Sequence, residues 1–151
     1  MRKLITGLAM ATLSITVVST AFAAEQVSMA VPGSSDVAGR KVLTFIAKDP
    51  PGARCNGNLQ VAAEVANTYR VPIQLLPSSL VPGLPAPAVF YGNQLLVADG
   101  KDYNGAASFQ IVSDVLEIEG VAKQEKTGLL LEDNVRRNFD GLKAIIKSGG
   151  K

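Results

Sequence analysis

Hydrophobic and polar positions follow three different rhythms along this chain. Lys41 to Ala47, K-V-L-T-F-I-A, is β-branched, aromatic and almost continuously apolar, the pattern of a central strand covered on both faces. Asp49-Pro50-Pro51-Gly52 stops it. From about Asn56 the period lengthens: Leu59, Ala62, Ala63, Ala66 and Tyr69 fall on one helical stripe, broadened by Val61 and Val65. Arg70-Val71-Pro72 ends that helix, and Val71 to Leu76 predicts a second strand. Strand, helix and strand within about 35 residues make a βαβ unit with a right-handed crossover.

Prolines then take over. Pro77 to Pro85 predicts a loop with at most one helical turn, and Pro82, Pro85 and Pro87 exclude a helix from the stretch they punctuate. They feed a hairpin whose strands are Ala88 to Tyr91 and Gln94 to Ala98, joined by Gly92-Asn93. A helix is expected from Asn104 or Gly105, with Phe109, Val112 and Leu116 on one face and Ile111, Val115 and Ile118 beside it. After a charged linker (Lys123 to Lys126), Leu129 to Leu131 leads into a last helix carrying Val135, Phe139, Leu142 and Ile146. Ser148 to Lys151 reads as a frayed tail.

The first residues change the meaning of the composition. Met1-Arg2-Lys3 precedes an uncharged run from Leu4 to Phe22 that ends Ala21-Phe22-Ala23, the pattern of a secretory signal peptide cleaved between Ala23 and Ala24. A membrane anchor is the competing reading. Gly7 and the interspersed Thr and Ser residues dilute the run, and no basic stop-transfer cluster follows. Residues 1–23 are therefore expected to be the signal, 24–40 an N-terminal extension, 41–120 the core and 121–151 a C-terminal helical extension, in a periplasmic protein with no membrane anchor after cleavage. Removing Arg2 and Lys3 leaves 13 basic residues against 13 acidic ones, so the basic pI of the whole chain supports no nucleic-acid partner.

Candidate chemistry is sparse. The chain has no histidine, which excludes histidine-ligated zinc and both Ser-His-Asp and Cys-His catalysis. Its single cysteine, Cys55, forms no internal disulfide; it is a buried inert thiol, an intermolecular partner or a reactive group. Asp49 reads as a solvated loop carboxylate or as an acid–base group beside that thiol. Met29 with Cys55 is a thin basis for a soft Cu(I) site, and no metal or cofactor is expected.

The order β-α-β, proline loop, β-β-α resembles the thioredoxin fold over roughly Lys41 to Gly120. The best local match is Pro87-Ala88-Val89-Phe90-Tyr91-Gly92-Asn93-Gln94-Leu95, which looks like the family's cis-proline strand and following turn. The resemblance implies an α/β three-layer sandwich with an extra C-terminal helix. It also implies a cis peptide at Ala86-Pro87, with Pro85 as the alternative, and an Ala86 backbone that pairs with an extended partner segment. The family's C-x-x-C site would fall at Asp49 to Asn58, where its second cysteine is missing. In one register, Cys55-Asn56-Gly57-Asn58, Cys55 is a monothiol nucleophile and Asn58 replaces the resolving cysteine. In the other, Gly52-Ala53-Arg54-Cys55, the nucleophile is lost and the shielded cysteine remains. A thiol at the helix start would feel the positive end of the dipole, with Arg54 as a thiolate stabiliser. Two functions follow as expectations: mixed-disulfide exchange through Cys55, or a redox-inactive module binding a protein or peptide segment at Pro85, Ala86 and Pro87. Dithiol turnover is excluded by stoichiometry, and the oligomeric state is not legible.

Overall fold

The computed structural model describes residues 29–34 and 37–149, so the expected signal peptide lies outside the described residues. The elements run β1 (Leu43–Ala47), α1 (Ala53–Thr68), β2 (Ile73–Pro77), β3 (Ala88–Tyr91), β4 (Gln94–Ala98), α2 (Phe109–Ile118) and α3 (Asp133–Lys147), with short 3-10 turns at Ser78–Leu80, Asp102–Gly105 and Leu129–Leu131. The four strands form one mixed sheet in the order β2-β1-β3-β4. β1 and β2 are parallel, with Phe45 opposite Leu75, whereas β1–β3 and β3–β4 are antiparallel. This is an α/β fold with roughly the strand order of the thioredoxin resemblance.

β1 is central, which is why its run is apolar at nearly every position: Leu43, Phe45 and Ile46 are all within 1% of full burial. Side chains alternate across the sheet, and the two faces have different covers. Leu43, Phe45, Val89, Tyr91 and Val97 join Val61 and Val65 of α1, Tyr69 just past its end, and Val112 and Leu116 of α2 in the main core. Ile46, Ala88, Phe90 and Ala98 point the other way, onto Val31, Val81 and the partly buried Met29, Leu84 and Ala86. The expected three-layer sandwich is thus helical on one side only. Among the described residues, irregular chain from the N-terminal segment and the proline loop covers the second face. That N-terminal segment is tied to the hairpin turn: Val31 N–H and Ser34 Oγ–H both donate to Asn93 Oδ1, at 3.1 and 2.8 Å.

Three helical expectations are corrected. α1 starts at Ala53 rather than near Asn56, because Gly52 takes the N-cap position with no side-chain cap to announce it. Its buried positions are Cys55, Asn58, Gln60, Val61, Glu64 and Val65, whereas Ala66 of the expected stripe is exposed. The reason is that α1 is covered twice, by the sheet and by α3, with Lys143 Nζ of α3 donating to the buried Glu64 Oε1 at 2.7 Å. α2 starts at Phe109, where the Ser108 hydroxyl accepts the Ile111 N–H, and Ile118 at its end is 85% exposed. On α3, Phe139 and Ile146 are half-buried while Val135 and Leu142 face water.

Candidate functional site

The parallel pairing of β1 and β2, with β3 running opposite, brings three connections to one end of the sheet. They are Lys48–Gly52 after β1, Ser78–Pro87 between β2 and β3, and Asp99–Ser108 after β4. Asp49 lies on the first and Pro85, Ala86 and Pro87 on the second, while Arg54 and Cys55 belong to the start of α1, which the first connection feeds. The third was not singled out.

Cys55 is the third residue of α1 and 2% exposed; its Sγ accepts the Lys48 backbone N–H at 3.3 Å. With Gly52 as N-cap, the sulfur is one turn inside the helix start, which is the inner position of the Gly52-Ala53-Arg54-Cys55 register. Asn58, the residue that would replace a resolving cysteine in the other register, is a buried bridge. Its Nδ2 donates to Gly105 O and its Oδ1 accepts Ala107 N–H, both at 2.8 Å. An asparagine inside a helix competes poorly with better helix formers unless its amide is used, and that mismatch was the available sequence signal.

Arg54 is half exposed, and its Nη1 donates to Asp99 Oδ1 and to Asn104 O, each at 2.7 Å. No bond joins it to the Cys55 sulfur among the described residues. Lys48 Nζ donates to the second oxygen of Asp99 at 2.8 Å. The Lys48 and Arg54 hydrogen bonds hold the Asp99 carboxyl below its ordinary range. Asp99 is therefore the hub linking the end of β1, the start of α1 and the loop after β4, and sequence reasoning missed it because all its partners are remote. Asp49 is exposed and accepts Ser79 Oγ–H at 2.5 Å.

The Ala86-Pro87 peptide is cis, and the alternative at Pro85 is not; a second cis bond, Asp49-Pro50, had no counterpart among the sequence expectations. Pro87 O accepts the Asp99 N–H at 2.9 Å, and Gly105 (φ +73°) lies against Pro87 so closely that a Cβ there would meet Pro87 O at 2.7 Å. Ala86 itself makes no backbone hydrogen bond among the described residues. Leu80 (69% exposed) and Tyr103 (62%) stand on the two loops at this end.

No group of three or more Cys, Asp or Glu side chains converges on a metal-sized site among the described residues, and no described helix is long and apolar enough to cross a membrane. Comparison of the chain with protein-family models, curated proteins and solved structures returns no match.

Proposed function

We propose that this chain is an exported, thioredoxin-like binding module that holds an extended segment of a partner protein along Ala86-Pro87, without thiol chemistry. The observation that carries the reading is the 2% exposure of Cys55. A thiolate exchanges with a disulfide only by direct attack of sulfur on sulfur. A side chain packed under the helix start and bonded to Lys48 N–H has no such approach while the chain is folded. The strand order and the proline strand support the thioredoxin-like part of the reading. The leader pattern of residues 1–23 supports export. The Ala86 backbone, unpaired among the described residues, is what a partner strand would use, since main-chain pairing supplies affinity while flanking side chains supply selectivity. Exposed Leu80 and Tyr103 are the apolar groups in place for that second role.

The test has two parts. Iodoacetamide should alkylate Cys55 in the folded chain at least about a thousand-fold more slowly than in urea, because modification must wait for opening. Alkylation at the rate of a free thiol, with mixed disulfides trapped in the periplasm, would instead establish Cys55 exchange. A photocrosslinking residue at Ala86 should trap a partner that the same residue at Glu125 does not.

A further inference from the structure

We infer that a second site, separate from the Ala86 edge, binds a small monocarboxylate with an apolar body. It is the cavity of about 230 Å³ enclosed by the start of α1, the Ala106–Phe109 segment and the last turns of α3. Its charged lining is of one sign: Arg54, Lys143 and Lys147. Two of these have carboxylate partners outside the lining, Asp99 on Arg54 and Glu64 on Lys143, while Lys147 has none among the described residues. Lys48 shares Asp99 with Arg54, so the cations about the cavity outnumber their carboxylate partners, and Lys147 is the lining cation left for a carboxylate to pair with. Donors remain for it. Arg54 uses only Nη1 in its two bonds, and the Lys143 ammonium has hydrogens beyond the one given to Glu64.

Apart from Asn58, whose amide is bonded to Gly105 and Ala107, and Ser108, which caps α2, the rest of the wall is small or apolar. Gly57 and Ala107 leave the floor open, and the half-buried Phe109 stands beside them. A Cβ on Gly57 would meet nothing within 4 Å, so the helix there is hollowed on the side facing the cavity. The volume is below the roughly 300–1,000 Å³ of drug-sized sites, which limits the ligand to a single ring or a short chain. A carboxylate at the cationic rim with its body on Phe109 satisfies both halves of the lining.

Benzoate is the probe, titrated into the full chain and followed by amide shifts at Arg54, Gly57, Ala107 and Phe109. Saturable binding with a Kd on the order of millimolar is expected, as for a fragment-sized ligand. Benzyl alcohol should bind at least about ten-fold more weakly because it lacks the charge. Lys147→Gln should weaken benzoate about three-fold, the scale of an exposed ion pair. Gly57→Val should abolish binding by filling the floor, and the helix tolerates it because valine is a better helix former than glycine. Absence of saturable shifts, equal binding of benzyl alcohol, or unchanged affinity in either variant would overturn the assignment. Should Gly57→Val fail to fold, Lys147→Gln still decides.

Discussion

Gly105 couples the proline strand to the loop after β4, and replacing it with alanine tests that coupling. Its φ of +73° lies in the left-handed region, where an L side chain costs roughly 1–2 kcal/mol. A Cβ would also sit 2.7 Å from Pro87 O, 2.8 Å from Pro87 Cγ and 2.9 Å from Asp99 N. None of these atoms belongs to a flexible side-chain end, so the backbone must shift, an overpacking cost of about 1–3 kcal/mol. Retreat of the loop is opposed, because Asn58 Nδ2 holds Gly105 O and Arg54 Nη1 holds Asn104 O. The two contributions sum to about 2–5 kcal/mol, a large share of a stability of about 5–15 kcal/mol. Gly100→Ala is the matched control: its φ is +75° and its Cβ would meet nothing within 4 Å, so only the conformational cost applies. Urea unfolding of the two variants, with a check that the m-value is unchanged, measures the difference. Gly105→Ala should be the less stable by about 1–3 kcal/mol, with Tm lowered on the order of 10 °C relative to the parent chain. Equal costs for the two substitutions would refute the packing of Gly105 on Pro87.

Further outcomes follow from other contacts. Lys143→Met strands the Glu64 carboxylate, whose side chain is 8% exposed, and should cost about 2–3 kcal/mol by urea unfolding. This is less than for a fully buried pair because Lys143 is itself 21% exposed; adding Glu64→Leu should recover most of the loss. Gln60 is buried with neither amide atom bonded among the described residues, so Gln60→Met should stabilise the chain by about 1 kcal/mol. Asp99 has a folded pKa held below its ordinary 3.8 by Lys48 and Arg54. The unfolded chain therefore binds the proton first as pH falls. The contribution of Asp99 to stability is present above about pH 4 and lost as pH drops through the folded value. Asp99→Asn should flatten the acid limb of a stability-against-pH curve below pH 4 and leave its shape above pH 6 unchanged.

The hairpin was legible to the residue, Ala88–Tyr91 and Gln94–Ala98, because its determinants are local: a short apolar run in each strand and a Gly92-Asn93 turn with Gly92 at φ +59°. β1 was legible in the same way, since a strand buried on both faces leaves a continuous apolar run. Helix α1 was placed in the right region, and Val61, Val65 and Tyr69 of its expected stripe are core, but the buried Cys55, Asn58, Gln60 and Glu64 were not in that stripe. Periodicity finds one stripe, whereas the buried Glu64 is held by Lys143 of α3, an element some 70 residues later whose position no local pattern encodes. α2 began later than expected because Tyr103 and Asn104, both at positive φ, break the chain into a 3-10 turn before Ser108 caps the helix.

By itself, then, the sequence determined the order and kind of the elements, the central place of β1, the proline at the head of β3, and the exclusion of histidine and dithiol chemistry. These rest on periodicity, ring closure and composition, which act within a few residues or need no geometry at all. Tertiary structure alone decided that Cys55 is sealed beneath the helix start, that Arg54 faces Asp99, and that Asn58 and Gly105 fasten the loop onto Pro87. It also decided that three cations and a phenylalanine from three elements share one cavity. Each of these depends on which remote segments meet, and burial and charge pairing take their values only once they have met.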